Sequence, residues 1–295
     1  MMGAFHFVKE IRNHNKGLIQ RQKESEVSKQ EFNQKPIKPI IGCEFFVCDD
    51  HSNKSQKDNG HQIVFLAKNK KGYHNLVKMS SLAFTDGFYY LPRIDRKIVE
   101  TYKQDLIVLS GNLYGEVPSK VLNVGEKQAE EALLWWKAQF GEDFYIEIMR
   151  HNQEDEDRVN PVLIQFSKKH NVPLVATNNT YYIDQKEANA HDILLCVKEG
   201  EKQATPVGRG RGYRYGLPNQ EYYFKSPEAM KELFKDLPEA ILNMQIISDK
   251  IEAFELARDV LLPKFDIPKE FINSNDTQSG TKHSENSYLR YLTYE

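Results

Sequence analysis

The chain has 295 residues, of which 40% are apolar and 28% charged, with 16 glycines and 12 prolines. These values exclude a collagenous, low-complexity or wholly disordered chain and leave room for one large domain or two ordinary ones. Forty basic against 42 acidic side chains give a net charge of −2, so no global basic field would hold nucleic acid, and any such contact must be local.

No stretch approaches the roughly 18 uninterrupted apolar residues of a membrane span. The start, Met1 to Glu10, lacks a basic end followed by an apolar run, so a cytoplasmic protein without membrane contact is expected. Cys43, Cys48 and Cys196 have no CxxC spacing and read as small, reduced, buried side chains.

In chain order, the polar segment Lys16–Lys35 reads as a mobile insertion. Pro39–Val47 is rich in β-branched and aromatic residues and predicts a strand. Asp49–Gly60 (DDHSNKSQKDNG) has no apolar residue and reads as a second mobile insertion. Gln62–Ala67, Asp105–Ser110, Asp143–Met149 and Val172–Thr177 repeat the strand pattern, each followed by a segment of helical spacing. Two helical stripes are clear: Ala129, Ala132, Leu133, Trp136 and Phe140, then Val159, Val162, Leu163 and Phe166. This alternation predicts parallel βα units, in a barrel or in a doubly wound sheet.

In either architecture the chemistry sits just beyond the carboxyl ends of the strands. Glu44, Asn112, Arg150, His151, Asn178, Asn179 and Tyr181 fall there. Ser226–Ala257 predicts two helices, with Ser226-Pro227 as cap and first position. Asn273–Ser287 has the composition of a solvated linker, after which Tyr288–Glu295 resumes helical patterning.

The sequence has no HxH, HExxH or paired-cysteine motif, no phosphate-cradling GxxxxGK[ST] and no GxSxG turn. No closely spaced aspartate pair follows a strand in the manner of a two-metal polymerase site. Glu44 and His61 are the candidate metal ligands, because each lies at a strand end that could aim it into a barrel mouth. In Gly208–Gly216 (GRGRGYRYG), Arg209, Arg211 and Arg214 alternate with Tyr213 and Tyr215. Cations for phosphates and rings for bases make this loop the candidate nucleic-acid contact.

The strings KPIIGCEFFV (38–47), LAKNKKGYHNLVKMSSLAF (66–84), PRID (92–95), LIVLSGNLYGEVP (106–118), NVPLVATNNTYYID (171–184), NAHDILLC (189–196) and LFKDLPEAILN (233–243) carry a family resemblance. In order, from about residue 2 to residue 272, they resemble the amino-terminal region of bacterial DNA polymerase III alpha subunits, the polymerase and histidinol phosphatase (PHP) domain. The resemblance implies an α/β fold, an incomplete distorted (β/α)7 TIM-like barrel over residues 1–225. It further implies a helical extension over 226–272, a flexible linker over 273–287 and the start of the palm module at 288–295.

The family metal site transfers poorly. Glu44 matches a ligand carboxylate, but the ligand histidine ahead of the LAKN block falls on Gln62, with His61 one residue away. The usual cysteine after LSG is Asn112, and the aspartate and histidine of NDxH are Asn179 and Tyr181. The family's HxH and TDHG motifs have no counterpart ahead of Phe5.

The implied reading is an internal piece, or a truncated gene, of a replicative DNA-directed DNA polymerase, a nucleotidyltransferase. This segment would be structural, with its phosphoesterase or 3′–5′ exonuclease activity lost and no cofactor of its own. Zn2+ or Mn2+ would bind only an intact PHP site, and Mg2+ would belong to the palm of the parent. Implied partners are DNA through the parent polymerase, the palm and thumb of the same subunit, and other replicase subunits. The alternatives are an active metal-dependent phosphoesterase or exonuclease, and a stand-alone interaction protein.

Overall fold

The computed structural model describes residues 2–28, 34–208, 210–256, 266–271 and 283–294. The chain divides into two compact units, Met1–Leu256 and Ala257–Glu295. Among the described residues no helix is long and apolar enough to cross a membrane.

The first unit opens with helix α1 (Met2–Ser28). Lys, Glu, Gln and Arg are strong helix formers, so the stretch from Lys16 expected to be a mobile insertion continues this helix as far as Ser28. The Asn15 side chain accepts from the Ile37 N–H at 2.8 Å and donates to its carbonyl at 2.7 Å, and Arg12 pairs with Glu255 at 2.8 Å.

Six strands follow: β1 (Gly42–Cys48), β2 (His61–Ala67), β3 (Arg93–Asp95), β4 (Leu106–Leu109), β5 (Phe144–Ile148) and β6 (Leu174–Ala176). They form one sheet in the order β3-β1-β2-β4-β5-β6. β2 runs antiparallel to both β1 and β4, whereas β1–β3, β4–β5 and β5–β6 are parallel. The sheet is therefore mixed, and among the described residues it ends at β3 and β6 without closing. Two expectations are corrected. The expected parallel pairing fails at β2, because the polar segment 49–60 returns the chain antiparallel alongside its own strand. The extra strand β3, in the PRID block, is too short for a period and exists through its pairing with β1.

Arg93 is wholly buried and organises the loop between β1 and β2. Its guanidinium donates to the carbonyls of Asp58 (2.8 Å), Asn53 (3.1 Å), His51 (3.2 Å) and Gly87 (3.2 Å). The Asp58 carboxylate also accepts from the N–H groups of Asp49 and Gly60. The second expected insertion is thus a laced loop. Arg93→Lys keeps the charge but loses the planar fork, and should cost about 2 kcal/mol in urea unfolding. An unchanged midpoint would mean that the loop carbonyls have other donors.

The remaining helices of this unit are α2 (Lys70–Thr85), α3 (Arg96–Tyr102), α4 (Glu116–Asn123), α5 (Glu126–Phe140), α6 (Glu154–His170), α7 (Ala188–Glu199), α8 (Pro227–Leu233) and α9 (Pro238–Lys250). The LAKN-GY block is a helix entry. Asn69 caps α2 by accepting from Lys71 N–H and Gly72 N–H, and a Cβ at Gly72 would stand 2.2 Å from the Asp105 carbonyl oxygen. The Ser226 hydroxyl caps α8 through the Ala229 N–H, with Pro227 at the first helical position.

Strand alternation divides the core. One face carries Phe45, Ile63, Phe65, Val108, Phe144 and Ile146 against the apolar stripes of α2, α5 and α6. The other carries Ile107, Leu109, Tyr145 and Val175 against Ile247 and Ile251. α9 shields the β6 edge, where Asn243 donates to the Leu174 carbonyl at 2.7 Å. The boundary expected after residue 225 falls inside this unit, because Met230, Phe234 and Ala240 belong to the main core.

In the second unit a single turn at Lys269–Phe271 precedes helix α10 (His283–Tyr294). Phe271 packs its ring against Tyr288 and Tyr291 at 5.0 and 5.1 Å. The helix begins five residues before the expected Tyr288, inside the segment read as linker, of which residues 273–282 lie outside the described residues.

Candidate functional site

The loops after β4, β5 and β6 meet at one end of the sheet. Together with residues 215–222 they enclose a cavity of about 320 Å³. Gly111 makes the turn after β4 possible. Its φ is +84°, and a Cβ there would stand 2.2 Å from the Gln62 carbonyl oxygen, so the turn lies directly against β2. Asn112 then donates to Gln62 Oε1 at 3.1 Å and accepts from the Tyr114 N–H at 2.8 Å, which commits its amide.

His151, after β5, is buried, and both ring nitrogens are engaged. Nδ1 lies 2.7 Å from Glu156 Oε1, and Nε2 accepts from the Asn179 backbone N–H at 3.2 Å. Accepting at Nε2 assigns the Nδ1–H tautomer. The ring stacks on Tyr222 with centroids 4.5 Å apart and planes 8° from parallel. Burial first, and then the Glu156 charge, push the Tyr222 phenol well above its ordinary value, so it stays protonated and accepts from Gln153. Tyr181 closes the mouth with its ring 5.9 Å from Tyr222, and burial raises its phenol as well.

Glu147 is the acid of this site. It interrupts the buried strand β5, is only 5% exposed and lines the cavity. Thr177 Oγ1 donates to its Oε1 at 2.6 Å, while Oε2 has no hydrogen-bond partner among the described residues. Burial pushes its carboxyl up to about 7, and the Glu44 charge adds to the rise, against the pull of the Thr177 and Gly111 donors. Burial likewise raises Glu44. The site therefore holds a proton that leaves near neutral pH, a property of general acids and bases. Nothing in the FYIEIM run marks Glu147 except that a carboxylate sits in an otherwise apolar strand.

Asn112, Asn179 and Tyr181 line one cavity, and Gln62 joins them through Asn112. Glu44 shares the sheet face of Gln62 and Glu147, since it alternates with Phe45 and Cys43. His61 does not join them. It alternates with Gln62, so it belongs to the opposite face, where Glu116 and Lys120 are its charged neighbours after burial, which lowers its imidazole. Glu44 and His61 therefore stand on opposite faces of the sheet, because one residue along a strand reverses the side chain.

Arg150 turns outward, forming a two-pronged pair with Asp236 at 2.6 and 2.7 Å. Asn178 holds the backbone of Tyr223. In the glycine-rich loop the arginines differ. Arg214 is buried and pairs bidentately with Asp192 at 2.6 and 2.8 Å, while donating to the Thr205 carbonyl. Its cation closes the loop, which corrects the expectation that it faces a phosphate. Arg211 and Tyr213 are exposed, Tyr215 reaches the cavity, and Arg209 lies outside the described residues.

Amides and a phenol are weak ligands beside carboxylate, imidazole and thiolate, and both nitrogens of His151 are taken. Among the described residues, one trio of potential ligands has its atoms within 4.8 Å of one another: Asp50, His51 and Asp95, in the loop laced by Arg93. Asp95 is already committed there to His51 and to the start of α3.

This mixed α/β sheet with its site beyond the strand ends goes with a family match: the PHP domain matches residues 1–151, and the chain belongs to the PHP domain family. At the level of whole proteins the chain is similar to DNA polymerase III subunit alpha. It is 37% identical over 264 residues to that of Borreliella burgdorferi, covering 88% of this chain and 22% of the relative. Identity is 34% over 263 residues with that of Treponema pallidum, covering 88% and 21%. With that of Helicobacter pylori it is 36% over 273 residues, covering 88% and 22%. The chain thus spans about a fifth of the length of these relatives.

Proposed function

We propose that this chain is the PHP portion of a replicative DNA polymerase alpha subunit and serves there as a scaffold with a degenerate metal site. In the parent, the sheet would form part of a distorted (β/α)7 barrel braced against the palm and thumb, and catalytic Mg2+ would be held by palm carboxylates. DNA and the other replicase subunits would meet it through that parent. The observation that carries the reading is the separation of Glu44 and His61 onto opposite sheet faces, with amides and a phenol at the remaining ligand positions.

Metal analysis of the purified chain tests it. Zn2+ and Mn2+ should be far below one per chain, and equally so in Glu44→Ala. Stoichiometric metal that disappears in Glu44→Ala would overturn the scaffold reading in favour of a metal-dependent phosphoesterase or 3′–5′ exonuclease.

A further inference from the structure

We propose that the cavity beyond β4, β5 and β6 binds an uncharged heteroaromatic ring bearing an amino group, the chemistry of adenine and cytosine. The inference rests on the reading above in one respect, that no cation fills this mouth.

The first support is the unpartnered oxygen of Glu147. A buried acceptor without a donor is costly, and here Thr177 serves the other oxygen while Oε2 is left without one. Above about pH 7, where the carboxyl has released its proton, an amino N–H entering the cavity supplies that donor. The second is Asn179, whose backbone N–H holds His151 while its half-buried side-chain amide has no partner among the described residues. An amide offers a donor and an acceptor side by side, matching the alternating edge of a base.

The third support is aromatic. Tyr181 and Tyr215 line the mouth with 47% and 52% of their surface exposed, presenting ring faces to a flat ligand. The cavity of about 320 Å³ lies at the small end of small-molecule sites. Its charged lining, Glu147, Asp155 and Glu156 against Arg158, disfavours phosphate and selects a neutral ligand.

The test is calorimetric titration of the 295-residue chain at pH 8, where Glu147 is ionised, with adenosine, cytidine, thymidine, AMP and ribose, with metal content measured on the same preparation. Adenosine and cytidine should bind, thymidine and AMP several-fold more weakly, and ribose not measurably. Tyr215→Ala, a substitution on an exposed ring outside the core, should weaken adenosine about tenfold, the loss of one base–aromatic stack. Glu147→Gln, which replaces an acceptor by an amide, should weaken adenosine and cytidine but not thymidine.

A short oligodeoxyadenylate separates the two sources of the base, and both outcomes support the site. Tighter binding than adenosine assigns it to a strand end, and weaker binding to a free nucleoside. Absence of binding by every base, ribose binding as tightly as adenosine, or indifference to both substitutions overturns the inference. Stoichiometric metal in that preparation would instead overturn the scaffold reading, so the two failures are distinguishable.

Discussion

Trp136→Ala is expected to destabilise the chain by about 3–5 kcal/mol in urea unfolding, the cost of emptying a large buried aromatic site. Trp136 is fully buried on α5 and packs edge-on against Phe65 of β2 with centroids 6.1 Å apart, so it joins a helix to the middle of the sheet. Its indole N–H donates to Glu116 Oε2 at 2.8 Å. Arg96 and Lys120 each reach Oε1 of the same carboxylate at 2.7 Å. Burial alone would raise Glu116, but Lys120, Arg96 and Trp136 together hold it below its ordinary range. Alanine therefore opens a cavity and removes a donor from a buried charge. Trp136→Phe keeps most of the ring and loses only the N–H, so it should cost about 1–2 kcal/mol. Equal losses in the two variants would show that the hydrogen bond to Glu116, and not packing, sets the whole effect.

Stability should fall as pH rises through the window set by Glu147. Its carboxyl is raised from 4.5 to about 7, by burial first and the Glu44 charge second. Between these values the folded chain keeps a proton that the unfolded chain has released, so the slope of stability with pH is negative. The contribution is full below about 4.5 and is lost as pH climbs to about 7, a change of about 3 kcal/mol at roughly 1.4 kcal/mol per pH unit. Glu44, raised by burial, acts in the same direction. Glu147→Gln removes the ionisation and should be the more stable protein at pH 8 by up to about 3 kcal/mol, with little difference at pH 4.5. Urea midpoints across that range measure this. Parallel curves for the parent and Glu147→Gln would show that Glu147 does not carry the pH dependence.

The two effects have one origin, a carboxylate inside an apolar layer, with opposite outcomes. Glu116 gathers three donors and stays charged. Glu147 has too few donors and gives way to its proton. Burial is common to both, and hydrogen-bond supply decides which form wins.

The sequence by itself determined the α/β character, the helix faces built on Ala129–Trp136 and Val159–Phe166, and the Ser226 cap. Each of these depends on spacing within a few residues or on a single cap, which is local information. Only the tertiary structure decided that β2 runs against its neighbours, that PRID adds a strand, and that His61 and Gln62 divide between two faces. It also decided that Arg214 spends its charge on Asp192 and that only one oxygen of Glu147 finds a partner among the described residues. Strand direction, register and the supply of donors around a buried group depend on residues 20 to 50 positions away along the chain, as Glu147 with Thr177 and Asn112 with Gln62 illustrate. No period in the sequence carries that information, because the cost of a buried carboxylate is set by what folding places beside it.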